Sequence, residues 1–369
     1  MLTNELYFVL PAVLMAFLIA SLLVPVLNSV ADKISNRKTG LSNRQQPKSR
    51  AAGGIGMATA VILSFQLWSI SDIQTFHPYF FASLALFLIS GYISGRSIVA
   101  SMKRVGIQFS AAVVLVVGVS GEVGGFLALM GLGGFSSTLS IIVLSGILTS
   151  IAVLFNYMGR APELIGGVAI IATSVLGIWF WAAGFFNMAL FSFVVSSSLI
   201  GYMMCRTNLK SVELGRFGWG SMGFVVAFLM MEFMLANASV AGQGVHLVNG
   251  IGLMLALLII PMVVWGADLV TGKKRLLRGE GSGYFLFKLY SRLGMDRNQT
   301  SFLFWMVNLI VVGVAYSTMH LSGSVQAIIL IGFGVFYTTA IYKTVLISRG
   351  ISKKLSGVES AWVRNWIRD

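Results

Sequence analysis

Charge is scarce in this chain, and what is missing narrows the reading before any motif is considered. Asp, Glu, Lys and Arg together make up 10% of the 369 residues, where a soluble globular domain carries roughly a quarter. That excludes an ordinary water-soluble fold. Acidic side chains number only 12, too few for the carboxylate clusters of a multi-metal enzyme to be expected at several places. A single cysteine, Cys205, excludes an intramolecular disulfide. Near a helix end, it reads as a small buried apolar side chain rather than a nucleophile. The three histidines, His77, His246 and His320, fall in separate loops or helix ends without metal-ligand spacing, so no zinc site is expected. No internal repeat and no low-complexity tract is present.

What the chain has in abundance is apolar length. Hydrophobic residues make up 57% of it, and the mean hydropathy is +0.87. A bilayer-spanning helix needs roughly 20 apolar residues. Eleven such runs are expected: 7–27, 52–74, 79–96, 105–120, 137–157, 164–185, 186–205, 218–238, 246–266, 301–321 and 323–346. The cut within 164–205 is the least defined by sequence. The first run follows Glu5, lacks a basic segment before it and has no small-residue cleavage site after it. It is expected to be a helix of the mature chain rather than a signal peptide.

The formal charge of +14 is distributed on one side of this map. If the N-terminus lies outside, all 26 Lys and Arg residues fall on the cytoplasmic side. Six lie in 28–51, seven in 267–300, six from Lys343 onward and seven in the short loops near 96–104, 160 and 206–216. This positive-inside bias predicts an N-out, C-in polytopic all-α membrane protein of about eleven helices. The basic excess is then a topology signal that also attracts anionic lipid, and a nucleic-acid partner is not expected. The expected organisation is one membrane domain, 1–346, with cytoplasmic loops 28–51 and 267–300, followed by a cytoplasmic tail, 347–369.

Two cytoplasmic stretches have the pattern of interfacial amphipathic helices. In 267–300, Tyr284, Phe287 and Tyr290 share a helical face with Leu286 and Leu293, beside Lys288 and Arg292. In the tail, Leu355, Val358, Trp362 and Trp366 form a stripe. The serine clusters "GGFSSTLS" and "VSSSL" read as helix-start or helix-packing residues.

The loop "NRKTGLSNRQQPKSRAAGGIG" (36–56) carries Arg37, Lys38, Pro47, Arg50, Gly53 and Gly54. It resembles the "RK-H…PR-GG" first cytoplasmic loop of the polyprenyl-phosphate N-acetylhexosamine-1-phosphate transferases. The resemblance continues in order along nearly the whole chain. "GYISGRSIVASMKRVGIQ" keeps Gly91, Ile93, Arg96, Arg104 and Gln108 of a "G-x-I-D-D-R…K-x-x-x-Q" frame, but Ser94 and Gly95 stand in place of two aspartates. "NYMGRAPELIGG" keeps Asn156, Leu164 and Gly167 of "N-x-x-D-G-x-D-G-L-x-x-G", with Gly159 and Pro162 where aspartates are expected. "LGRFGWGSMGF" keeps Gly215, Gly218, Gly223 and Phe224 of "M-G-D-x-G-S…G-F", with Arg216 at the aspartate position. "RGEGSGYFLFKLYSRLG" keeps Arg278, Gly279, Arg292, Leu293 and Gly294 of a histidine-bearing loop, whose histidine positions hold Phe285, Phe287 and Lys288.

The resemblance implies a membrane fold that moves a sugar phosphate from a UDP-sugar to a lipid phosphate with Mg²⁺, at the cytoplasmic face of a bacterial inner membrane. The same alignment implies that this chain has lost the machinery. Phosphoryl transfer between two phosphates concentrates negative charge that a divalent ion normally neutralises, and Mg²⁺ wants hard oxygen ligands. Five aspartate positions are lost and a cation occupies one of them. The expected function is therefore a non-catalytic relative that binds a lipid phosphate such as polyprenyl phosphate, or assembles with a protein partner in envelope polysaccharide synthesis. No metal and no cofactor is expected. The phosphate-binding candidates are Arg216, Arg160, Arg96, Arg50, Lys38 and Asn156, since guanidinium forks suit phosphate oxygens without a metal. The competing reading for the basic residues is plain positive-inside topology. Two alternatives stand beside this. One is an active transferase whose Mg²⁺ ligands have moved to Glu163, Glu213 or the 267–300 loop. The other is a carrier or flippase for an anionic lipid that uses the intramembrane Glu232.

Overall fold

The computed structural model of the protein describes residues 2–39, 52–69, 78–90, 98–119, 136–159, 161–208, 214–242, 244–271 and 297–337, with 127, 134, 339 and 340 besides. The side chains of 2–6, 31–39, 52, 98–101, 207–208, 215–217, 267–271 and 297 fall outside this description. All regular structure among the described residues is helical. The helices are α1 (Leu2–Thr39), α2 (Ala52–Trp68), α3 (Pro78–Ser90), α4 (Ile98–Gly118), α5 (Ser137–Met158), α6 (Pro162–Ala182), α7 (Phe186–Asn208), α8 (Gly215–Ser239), α9 (Gly250–Thr271) and α10 (Arg297–Ser317). A further apolar helix, α11, runs over Gly323–Tyr337.

Each of the eleven apolar runs coincides with one of these helices. Six of them, α1, α5, α6, α7, α8 and α10, are long and apolar enough to cross a membrane. The helices α2, α3, α9 and α11 are apolar but shorter over their described residues. The uncertain cut within 164–205 falls at Gly184, whose φ of +82° lies in the left-handed region that ends helices. There Gly184 N–H donates to the Trp181 carbonyl and Phe185 N–H to the Phe180 carbonyl, closing α6 before α7 begins. The first loop differs from expectation. α1 does not stop near residue 27 but continues to Thr39, because after Pro25, which the helix accommodates, no Pro or Gly appears until Gly40. The first half of the expected loop 28–51 is thus helix. The rest of that loop, most of 267–300 and the tail lie outside the described residues.

α8 is the hub of the bundle, packed by α2, α3, α5, α6 and α9. α7 packs against α1, α2 and α6. Close approach follows from small residues. On α1, Ala12, Ala16 and Ala20 recur every four residues and are wholly buried, and Gly201 of α7 sits where a Cβ would stand 2.7 Å from the Phe17 carbonyl oxygen. On the opposite face of α1, Leu10, Leu14, Leu18 and Leu22 are exposed at the same spacing. α10 and α11 add Phe302, Ile310, Ile328 and Phe336 to this exposed apolar belt. Apolar area of that extent is covered by lipid in a membrane protein.

The serine clusters serve packing and capping. Ser136 caps α5, accepting from Leu139 N–H at 3.4 Å. Ser196 meets Ser174 at 2.7 Å, and Ser197 Oγ donates to the Val13 carbonyl at 2.6 Å, tying α7 to α6 and α1. Cys205 Sγ donates to the Ser21 carbonyl at 3.0 Å.

The two ends of the bundle differ. The loops after α2, α4, α6, α8 and α10 contain no Lys or Arg; we call this the neutral end. It is stitched by side-chain to backbone bonds that cross between elements. Trp179 Nε1 donates to the Val245 carbonyl at 3.1 Å, and Asn237 exchanges two bonds of 2.8 Å with Leu247. Asn249 Nδ2 donates to the carbonyls of Met319 and Leu321, and Gln326 Nε2 to that of Ala315. The other end carries all the basic loops.

Candidate functional site

Three of the motif frames, those around 108, 156–167 and 214–224, meet at the basic end, where α3, α4, α5, α6, α7 and α8 begin or finish. α8 opens with glycines in the order Gly215, Gly218, Gly220 and Gly223, and two of these set its fit against α5. A Cβ on Gly223 would stand 2.6 Å from Phe155 Cβ and 2.8 Å from Ala152 Cα, so the α5 and α8 backbones are in contact there. At Gly220 the missing side chain leaves room for two amides: the Cβ position is 3.2 Å from Gln108 Nε2 and 3.8 Å from Asn156 Cβ. Gln108 reaches this point from α4 and Asn156 from α5. Sequence positions 108, 156 and 220 thereby become one place.

Gln108 is 3% exposed, and its Nε2 donates to Ser90 Oγ of α3 at 3.4 Å. Ser90 in turn donates to the Phe87 carbonyl at 2.7 Å. Gln108 Oε1 and Asn156 Oδ1 are buried and find no hydrogen-bond partner among the described residues. Both orphan atoms are acceptors. A donor completes them, such as a hydroxyl or a guanidinium, and a phosphate oxygen does not. Asn156 can thus orient a donor through Oδ1, while its Nδ2 keeps two N–H donors of its own. Arg216 lies four residues before Gly220 on α8, one helical turn toward the basic end.

Next to Gly220 on α8, Trp219 fills the space between α5 and α6. Its side chain is 1% exposed. A Cβ on Gly159 would stand 2.5 Å from Trp219 Cδ1, and one on Gly166 would stand 3.3 Å from Cη2 at the other end of the indole. Tyr202 of α7 meets the indole edge-on, with ring centroids 6.0 Å apart, and its hydroxyl accepts from Leu214 N–H at 3.3 Å. Gly159 and Pro162, where the resemblance expects aspartates, supply no ligand atom, and the volume beside Gly159 is occupied by indole.

Glu163 lies in the first turn of α6, and Arg206 of α7 donates to its Oε1 through Nε at 3.1 Å. The two side chains are only 16% and 14% exposed. The backbone carbonyl of Glu163 accepts from Trp305 Nε1 of α10 at 3.2 Å, and the indole fits because Gly167 has no side chain. The Glu163 carboxylate therefore serves to join α6 to α7. Its Oε1 already takes a guanidinium, and no group of three His, Cys, Asp or Glu side chains gathers among the described residues. The donor set at the described site does not fit Mg²⁺.

The remaining candidates are placed only in part. Lys38 and Arg216 lie on described helices, α1 and α8, but their side chains are outside the description. Arg50, Ser94, Gly95, Arg96, Arg160 and Glu213 lie outside the described residues altogether. Glu232 is on α8, toward the neutral end and half-buried. Trp219, Tyr202 and Arg206 carried no role in the sequence reading. The one signal for Trp219 was its size amid "GRFGWGSMG", a stretch otherwise rich in glycine.

No family model matches the chain, and no curated protein matches it significantly.

Proposed function

We propose that this protein is a catalytically silent relative of the polyprenyl-phosphate sugar-1-phosphate transferases, one that binds a lipid phosphate at the cytoplasmic face of a bacterial inner membrane. The observation that carries the reading is the Trp219 indole seated on Gly159. The place where the resemblance expects a metal-binding aspartate holds a buried aromatic ring, so the loss is built into the packing. The retained frame supports a binding role. Gln108 and Asn156 converge on the glycine-rich start of α8 with two buried acceptors, one helical turn along α8 from the position of Arg216. A guanidinium oriented by two amide oxygens presents its remaining donors to an anion. Such a component would hold polyprenyl phosphate for a partner in envelope polysaccharide synthesis.

The relocated-metal reading is weakened at Glu163, whose carboxylate is already neutralised by Arg206. The purified protein with UDP-N-acetylhexosamine, polyprenyl phosphate and Mg²⁺ should release no UMP, yet should bind polyprenyl phosphate. Arg216→Ala should weaken that binding about tenfold, as expected for one lost charge-assisted contact. UMP release that disappears in Glu163→Gln would overturn the non-catalytic reading.

A further inference from the structure

α8 is enclosed over most of its length, and the place where the enclosure ends is occupied by a carboxyl group. Every residue from Gly218 to Met231 is buried. Glu232 is the first that is not, and Leu235, Ala236 and Ser239 carry its half-open face on to the end of the helix. Positions spaced by three and four residues share one side of a helix. Glu232 lies seven residues before Ser239, about 10 Å at 1.5 Å per residue. Its side chain is therefore within the apolar span, with a way out along α8 toward the neutral end. One of its oxygens, Oε1, is buried.

Toward the basic end the way is shut. Phe228, one turn before Glu232 on the same side of α8, has its ring centroid 4.3 Å from that of Phe80 and 6.5 Å from that of Phe191. Phe191 in turn meets Phe65 and Phe80 edge-on, at 5.3 and 5.5 Å. The four rings come from α8, α3, α7 and α2, and all are buried. Beyond them the same side of α8 continues through Val225, Ser221 and Gly218, along a lining in which Ser221 is the only polar side chain. A packed apolar constriction of this kind excludes water and ions.

No Lys or Arg reaches Glu232. All 26 lie on the basic side of the map, and Arg216, on the same helix, is 16 residues or about 24 Å away along the axis. Of the helices around α8, α2 has no titratable side chain and α3 has Tyr79 near its neutral-end start. Those of α5, α6, α7 and α9, among them Tyr157, Glu163, Tyr202 and Asp268, fall at the basic end. The neutral-end loops contribute His320 and His246, whose Nδ1 lies 2.8 Å from the Asn237 carbonyl. They also contribute Asp72, His77 and Glu122, which lie outside the described residues. A carboxyl group taken out of water without a strong cation beside it is held neutral by a proton. We propose that Glu232 is a proton-binding site that exchanges with the neutral side alone. Its carboxylate gains an O–H bond to a proton drawn from water at that end, and the phenylalanine rings close it to the basic end. This does not depend on the lipid-phosphate reading above.

The test uses the full chain in membrane vesicles whose outer face is the neutral one, with the pH of each side set separately. The probe is dicyclohexylcarbodiimide, which dissolves in lipid and adds to protonated carboxyl groups. Mass spectrometry should find it on the peptide containing Glu232. That modification should fall about tenfold or more as the outer pH is raised from about 5 to about 9, and should ignore the inner pH. Glu232→Gln should abolish it. Phe191→Ala should make it respond to the inner pH as well, and Phe228→Leu is the milder opening of the barrier if Phe191→Ala fails to fold. No modification of Glu232 at any outer pH, or modification that does not change with pH, overturns the proton site. Modification that follows the inner pH in the unaltered chain overturns the one-sided exchange. Variants that fold and still ignore the inner pH remove the rings as the barrier.

Discussion

Trp219 and Gly159 are a matched pair: the indole of one rests where the other lacks a side chain, at a distance that admits no Cβ. In the resembling family the Gly159 position is an aspartate. Under the proposed kinship, the pair links a missing carboxylate to a specific large residue 60 positions away, on a different helix.

Restoring that carboxylate alone should fail. Gly159→Asp would force a charged side chain into occupied, water-excluded space, at a cost of about 2–4 kcal/mol from overpacking and an unpaired buried charge. Thermal unfolding in detergent should show a clear drop in Tm. Adding Trp219→Gly should recover part of that loss, and equal Tm values for the single and double variants would refute the pairing.

The Glu163–Arg206 bond should behave as a structural tie. Each partner left alone is a poorly hydrated charge, so Glu163→Gln and Arg206→Met should each destabilise by about 1–3 kcal/mol. The remaining exposure of both side chains argues for the lower part of that range. The double variant should cost less than the sum, with a coupling of about 1 kcal/mol or more in a double-mutant cycle. Additive losses would show that the two side chains act independently.

Glycines should separate by what surrounds them. Gly223→Ala drives a methyl into the α5 backbone and should cost about 1–3 kcal/mol. Gly106→Ala meets nothing within 4 Å and should be neutral or gain up to about 1 kcal/mol from helix propensity. Unfolding midpoints of the two variants, measured side by side, decide this.

Gln108→Leu distinguishes binding from folding. Its Oε1 has no described partner, and its bond to Ser90 is long. Replacing the amide should change stability by less than about 1 kcal/mol while weakening polyprenyl-phosphate binding. A large stability loss with unchanged binding would make the amide a plain packing element.

Topology is open to a direct check. On a Cys205→Ser background, Ser322→Cys should react with a membrane-impermeant maleimide in intact cells, and Lys38→Cys only after permeabilisation. The reverse pattern would invert the orientation that the basic loops predict.

The helices were legible because lipid imposes a demand that composition meets residue by residue. Eleven apolar runs became eleven helices, and the doubtful break was decided by one glycine, Gly184. The far end of α1 was misjudged because hydropathy marks where a helix leaves hydrocarbon, while its true end depends on backbone chemistry such as the arrival of Gly40. The site was legible only as a pattern of losses. Sequence marked Gly159, Pro162 and Arg216 as departures from a frame, but what fills the vacated space is decided by contacts across 60 residues. The partner of Glu163 lies 43 positions away, and neither residue is unusual in its local context. Gln108 and Asn156 were each in register with a motif, yet their convergence at Gly220 needed three helices to be packed together.

The stitching of the neutral end has a mechanical consequence. Spreading the helices there would strand the amides and carbonyls bonded by Trp179, Asn237, Asn249 and Gln326, each at about 1–3 kcal/mol. Separation of α6, α8, α9, α10 and α11 at that end is therefore opposed by several such bonds at once, and not by apolar contact alone.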